Sequence, residues 1–347
     1  MFFKIIGLNE VNFQSIIHFL ESTPDSTIYH HPLWLKAIQN TFGHKTYYLL
    51  EYNDSGSILS LIPFMKFKSV ITGKKIISLP LSTHCDPLID VNKLTEALKF
   101  ISESFADYKI FDLRTLKNFS ETLPDYSGST EYFTHILELK DSLEETFNSF
   151  HPTSVRASIR RAEKNNLKII WGKTLDDLIS FYNLKFKLRK RLRLPPIPFE
   201  FFKNVWIELS KNNLISLPIV YKDNKPIAAG FVLNFKDKFY LEYTASEKDY
   251  LNLYPNHKLF FDVIKKAFNS GAKYVDFGRT ATENTSLISF KEKWATEKNL
   301  IYHYHFPPEP LLQKSKIIPK KLIMTVNSFL PEFLLNVEGK IIYRYFL

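Results

Sequence analysis

One order of elements, β, β, β, α, β, occurs twice along the chain, and this recurrence constrains the fold more than any other feature. In the first half, TYYLLEY (46–52), the turn NDSG and SILSLIPF (57–64) set β-branched and aromatic runs about a turn cluster holding Gly56, the pattern of a hairpin. A strand over Ile76–Leu81, a helical pattern LTEALKFISESF (94–105) and a short strand KIFDLR (109–114) follow. The second half repeats the series as LISLPIVY (214–221), IAAGFVLNF (227–235), FYLEYTA (239–245), a helix over 257–270 and KYVDFGR (273–279). A repeat at this scale predicts two related α/β domains, 1–150 and 151–308, with central strands at Tyr47–Glu51 and Phe239–Tyr243. The length of 347 residues, 45% of them hydrophobic, also exceeds what one core comfortably serves. The remainder, 309–347, alternates lysines (Lys314, Lys316, Lys320, Lys321) with apolar clusters and reads as a basic amphipathic appendage lying against a membrane surface or the first domain.

The opening MFFKIIGLNEVNF is interrupted by Asn9 and Glu10 too early for a secretory leader and reads as a first strand. The most apolar late stretch, Leu322 to Val337, contains Asn327, Ser328, Pro331 and Glu332, so no transmembrane span is expected. Cys85 is the only cysteine, which excludes an internal disulfide framework and a cysteine zinc cage and fits a cytoplasmic protein. Lysine and arginine number 46 against 36 acidic residues, a net charge of +10 that suits an anionic partner: RNA, lipid headgroups or a phosphorylated substrate.

Between the halves, Pro152 suits the first turn of a helix whose apolar stripe is Val155, Ile159 and Ala162, while Arg156, Arg160, Arg161 and Lys164 occupy the other faces. With Lys168 they form a basic face that suits tRNA or a lipid pyrophosphate, or is simply solvated. A second helix starts at Thr174 with Asp177 three residues on, runs into KLRKRLR (187–193), and is ended by PPIP (195–198).

Three segments carry a family pattern: YHHPLWLKAIQNTFGHKTYYLLEY (29–52) followed by LIPFMKFKSVITGKKIISLP (61–80), then SVRASIRRAEKNNLKI (154–169), then YVDFGRTATENTSLISFKEKWATEKNLIYHY (274–304) with its DFGR…FKxxW arrangement. In this order they resemble the FemAB-like, or CelD/BioF2-like, branch of the GCN5-related N-acetyltransferase (GNAT) superfamily. The resemblance implies two tandem GNAT-like domains, each a mixed, mostly antiparallel sheet flanked by helices. It implies transfer of an acyl or aminoacyl group to an amine of a peptidoglycan peptide or of an envelope amino sugar. Acyl-CoA or aminoacyl-tRNA would be the donor, no cofactor would be tightly bound, and a phosphorylated or lipid-linked saccharide or peptide would accept, with tRNA and an anionic inner membrane face as further partners.

This sequence departs from the coenzyme A-binding pattern at SEKDYLNLYPNHKL (246–259), which contains no glycine, leaving phosphate capture to Asn256, His257 and Lys258 at a helix start. Acyl transfer needs a base for the amine, donors for the oxyanion and positive charge for the donor's phosphates. Asp276 and Arg279 end a strand, where open α/β sheets place ligand contacts; a strand-end ion pair explains the same two residues. Lys291 is expected on a helix face fixed by Phe290 and Trp294, its ammonium turned to a cleft without burial, and the resemblance gives it a substrate phosphate. Asp86 is a possible base beside His84, and Tyr243 a possible proton donor to the leaving group or a packing residue. A Cys85 thiol nucleophile is disfavoured, because adjacent side chains at a strand end point apart. His303 and His305 share a strand face, but no third ligand is evident in sequence, so no metal is expected. The competing class is a non-catalytic RNA- or membrane-surface-binding protein on the same scaffold; a glycosyltransferase is disfavoured by the lack of a DxD-like motif.

Overall fold

The structure is a computed structural model and describes residues 2–69, 73–308, 327 and 330–345. The chain begins β1 (Phe2–Gly7), α1 (Phe13–Ser22), α2 (Pro32–Phe42), β2 (Thr46–Tyr52), β3 (Ile58–Ser69), β4 (Gly73–Ile77), α3 (Leu94–Ser104), β5 (Ile110–Thr115) and β6 (Ser127–Glu138). It continues α4 (Leu143–Ser149), α5 (Ala157–Lys164), β7 (Lys168–Gly172), α6 (Leu175–Arg191), α7 (Phe199–Leu209), β8 (Ile215–Lys222), β9 (Lys225–Phe235) and β10 (Lys238–Ser246). Then come α8 (Pro255–Asn269), β11 (Tyr274–Asp276), β12 (Thr280–Ala281), α9 (Thr285–Glu292), β13 (Glu297–Phe306) and a C-terminal helix, Glu332–Tyr345.

Local chemistry sets these boundaries. Asn12 caps α1 by accepting from the amides of Gln14 and Ser15, and α2 starts on Pro32 and stops at Gly43, whose φ of 73° is the left-handed conformation glycine supplies. Thr174 and Asp177 form the reciprocal capping box their spacing predicts at the start of α6. Asp223 and Asn224, both at positive φ, make the two-residue turn joining β8 to β9. The strand expected over 76–81 is displaced: β4 runs from Gly73 to Ile77, and Ser78 turns to the neighbouring strand, its amide donating to the Asp112 carbonyl and its hydroxyl accepting from the Arg114 amide.

The chain packs as two units, and the division is discontinuous. Residues up to 131 pack with 300–308 and the helix end from 340; residues 132–299 pack with the helix up to 339. The first unit orders its strands β1-β2-β3-β4-β5-β13, antiparallel throughout except for the parallel step from β4 to β5. The second orders them β7-β8-β9-β10-β11-β6, with the one parallel step from β10 to β11. The two halves are therefore tandem units of one mixed, mostly antiparallel design. Each takes its closing strand from a distant part of the chain, β13 in the first unit and β6 in the second.

Apolar burial follows strand alternation. Ile76, Phe111, Leu113 and Tyr304 meet Leu94, Leu98 and Ile101 of α3 in the first core. In the second, Val220, Val232, Leu241 and Val275 meet Leu259, Val263 and Ile264 of α8, together with the predicted stripe Val155, Ile159 and Ala162. No helix among the described residues is long and apolar enough to cross a membrane. The appendage lysines Lys314, Lys316, Lys320 and Lys321, on which the surface-docking expectation rests, lie outside the described residues. Tyr304 joins the first core to a loop: its hydroxyl accepts from the Phe119 amide at 2.7 Å and donates to Asn118 Oδ1 at 2.9 Å. Tyr304→Phe keeps the ring but strands a buried amide, so thermal unfolding should show a loss of about 1–3 kcal/mol.

Candidate active site

In the second unit, β10 and β11 pair over only three positions, ending at Tyr240↔Asp276. Beyond that point the register of β10 against β9 shifts between Leu241 and Tyr243, a bulge that places Glu242 outside the regular ladder. The chain leaving β11 turns at Gly278, whose φ is 68°, and a Cβ there would meet the Leu241 carbonyl oxygen at 3.1 Å. That position requires glycine.

Three groups converge at this opening. Asp276 is buried, its Oδ1 accepting from Thr134 Oγ1 at 2.5 Å and from the Gly278 amide at 2.8 Å. Lys291 is 3% exposed, and its Nζ donates to the carbonyls of Phe277 and Gly278, both at 2.6 Å. Burial draws its pKa down to about 8, opposed by the carboxyls of Asp276 and Glu242. Glu242 is displaced the other way, up to about 8, by burial and then by the charge of Asp276, with Arg279 and Lys291 opposing. A carboxyl whose pKa is raised to about 8, with a second carboxyl beside it, is an arrangement suited to taking a proton near neutral pH.

Further polar atoms here are buried without a hydrogen-bond partner among the described residues: Asp276 Oδ2, both ring nitrogens of His135, Thr280 Oγ1 and Trp294 Nε1. His135 is held neutral, its pKa lowered to about 4 by burial and then by the Lys291 charge. Buried polar atoms are nearly always satisfied, so a concentration of unsatisfied ones is what a site awaiting water or substrate presents.

The sequence-derived candidates fall into three groups. Asp276, Arg279 and Lys291 come together, but Lys291 does not face a cleft unburied as expected, because the carbonyls that end β11 take its ammonium inward. Arg279 is exposed, its guanidinium 5.1 Å from the Tyr132 ring. Phe290 and Trp294 do touch, at 6.1 Å, but Trp294 lies past the end of α9 and is fully buried against Phe260 and Phe277.

The residues expected to capture phosphate have other engagements. His257 stacks on Trp294 at 5.8 Å, and burial lowers its pKa to about 4. Lys258 pairs with Asp262 at 2.8 Å, while half-buried Asn256 stays at the first turn of α8. Tyr243 packs on the rings of Phe201, Phe202 and Phe231, with Lys185 Nζ 5.0 Å from its own ring. Arg156 donates to Asn148 Oδ1 at 3.3 Å, and Arg160 lies 5.7 Å from the Phe147 ring.

Asp86, in the first unit, is an internal acceptor: it takes the amides of Leu116 and Lys117 at 2.8 Å and contacts His84 Nδ1 at 3.1 Å. These contacts keep its pKa below the usual carboxylate value although burial pushes the other way. Cys85 is buried and its thiol pKa is raised, the opposite of an activated thiolate. His303 and His305 gain a third neighbour that sequence did not give, Asp112, which hydrogen-bonds His305. Lys75, 3.9 Å from the same carboxylate, already supplies a cation there.

Sequence reasoning missed Glu242, Thr134, His135 and Thr280. The only signal for Glu242 was an acid at an inward position of a strand that otherwise reads as core.

The site therefore sits at the splayed end of two parallel strands in a unit whose residues 151–291 match the acetyltransferase (GNAT) domain family. The chain is also similar to the lipid II:glycine glycyltransferases of two Staphylococcus epidermidis strains, 28% identical over 230 residues, or 61% of this chain and 49% of each relative. A Staphylococcus haemolyticus protein of the same description is 37% identical over 75 residues, covering 20% of this chain and 18% of its own length. The chain thus spans about half the length of the S. epidermidis relatives. Among solved structures, FemX superposes with a TM-score of 0.71 at 14% identity, covering 89% of this chain and 99% of its own. A tandem GNAT protein from the clavulanic acid biosynthesis pathway gives 0.55 at 8% identity, with 87% and 98% covered. These matches make residues 151–291 similar to a GNAT domain and the fold similar to that of FemX, in keeping with the FemAB-like motifs.

Lys291→Ala should remove more than charge, because it leaves the Phe277 and Gly278 carbonyls without their donor. The expected result in differential scanning calorimetry is a loss of about 1–3 kcal/mol.

Proposed function

We propose that the chain transfers an acyl or aminoacyl group to an amine of a cell-envelope precursor, and that the observation carrying this reading is the Glu242–Asp276 carboxyl pair at the opening between β10 and β11. Glu242, ionised as pH approaches 8, takes a proton from the acceptor amine. The amine nitrogen then forms its bond to the donor's carbonyl carbon, and the bond from that carbon to the leaving oxygen or sulfur breaks, the leaving group regaining a proton. Asp276, fixed by Thr134 and Gly278, keeps Glu242 proton-hungry, and Lys291 balances the paired carboxyls so that both stay in place. Arg279, exposed at the rim, suits a phosphate of the incoming substrate.

The acceptor class comes from the lipid II:glycine glycyltransferases, whose name specifies lipid II. An aminoacyl ester donor fits better than coenzyme A. The first turn of α8 offers little to a pyrophosphate, since Pro255 has no amide hydrogen and the amides of His257 and Lys258 already donate to the Tyr254 carbonyl at 3.1 and 3.2 Å.

Incubating the protein and lipid II with acyl-CoA and aminoacyl-tRNA pools, and following both donor and acceptor by mass spectrometry, tests this reading. Aminoacyl-tRNA should be consumed with a matching mass gain on lipid II, and consumption of neither donor would refute the transfer. Glu242→Gln should lower kcat/KM by about two to four orders of magnitude. Its stability profile separates a base from a packing residue. The folded pKa near 8 exceeds the unfolded carboxylate value, so protonated Glu242 contributes stability below about pH 4.5 that is lost as pH rises to 8. Denaturant titrations across that window should show this fall in the wild type and a flatter profile in Glu242→Gln.

A further inference from the structure

The second unit has another concavity, a recess of about 690 Å³ reached from the opposite end of α8. Its wall includes Trp171 and Lys173 at the end of β7, Trp206 of α7, Lys211, Lys236 and Lys266. Lys266 lies eleven residues along α8 from Pro255, about 16 Å by helix rise, so the recess is separate from the helix start beside the candidate active site. Four lysines line it, and among the described residues no carboxylate does. Asp262, in the adjoining hollow, is already paired with Lys258 at 2.8 Å and Lys265 at 3.8 Å. The lysines are crowded: Lys266 Nζ sits 4.0 Å from the centre of the Trp171 ring, and both burial and the Lys173 charge lower its pKa. An anion seated between them would relieve that repulsion.

Two features select the kind of anion. Tryptophan faces beside lysines suit a planar ring attached to phosphate, the combination by which proteins hold nucleotides of single strands. The Asn234 amide is fixed by donating to the Asn213 carbonyl at 2.5 Å, and its Oδ1 is left buried without a hydrogen-bond partner. That oxygen can accept from a nucleobase amine or a ribose hydroxyl. A bilayer surface, which also attracts lysine and tryptophan, binds protruding faces and would not reach an acceptor set in a recess.

We propose that this recess binds a nucleoside phosphate, ring on tryptophan and phosphate between lysines, presented as a free nucleotide or as a residue of single-stranded RNA. The assignment does not depend on the transfer chemistry, since its readout is binding alone. Full-length protein is titrated with AMP and with a short single-stranded oligoribonucleotide, by calorimetry and by tryptophan fluorescence, alongside Trp206→Leu and the exposed-lysine double variant Lys173→Ala/Lys211→Ala.

Both variants should weaken binding by roughly tenfold or more. Tighter, more salt-sensitive binding of the oligoribonucleotide identifies RNA as the source, and equal affinity identifies the free nucleotide. The proposal is overturned by absence of binding at millimolar ligand or by binding that neither variant alters. Inorganic pyrophosphate binding as well as AMP with no dependence on Trp206 would also overturn it, leaving a generic anion patch. So would lysine-dependent binding confined to phosphatidylglycerol vesicles, which would make the surface a membrane contact.

Discussion

A buried ammonium organises the second unit. Lys291 can lie in the interior because two carbonyl oxygens accept from it and the charges of two carboxyls offset its burial. The carbonyls belong to Phe277 and Gly278, so the lysine dictates the turn after β11. That turn requires the left-handed glycine and brings its amide back to Asp276. The strand bulge at Glu242 lies across the same turn, and the carboxyl it carries gains its unusual proton affinity from burial and then from Asp276. One charge thus fixes a backbone path and, through it, the proton chemistry available at the opening.

Much of the architecture was legible in sequence because it is written locally. Capping at Thr174, the Asp223–Asn224 turn and the apolar stripe of α5 are decided by residues within a few positions of one another. The doubled element order likewise survives in the strand pairings. What failed depended on distant partners. The strand expected to run to Leu81 ends at Ile77 because Ser78 finds its hydrogen bonds on β5, and nothing in the intervening sequence announces that exchange.

The site was half legible for the same reason. Asp276, Arg279 and Lys291 could be picked from their motif, yet Lys291 read as a helix lysine turned unburied to a cleft, since helical spacing cannot see carbonyls presented by another segment. Glu242 and His135 were invisible. An acid within FYLEYTA looks like a lapse in a core strand, and burial, with the neighbouring Asp276, turns it into a group poised near neutrality. His257 and Lys258 show the converse, residues of the right type at a helix start that are already committed to Trp294 and Asp262.

The closing strands have a consequence for how the protein comes into being. The first sheet receives β13, which is translated after every strand of the second, whereas the second receives β6 from upstream. A nascent chain that has delivered β1 to β5 still exposes the unpaired edge of β5 until residues 300–306 emerge, so completion of the amino-terminal half is deferred to the end of synthesis. The amino-terminal unit is thereby discontinuous in sequence, and exchanging it for a relative's would require carrying residues 300–306 with it.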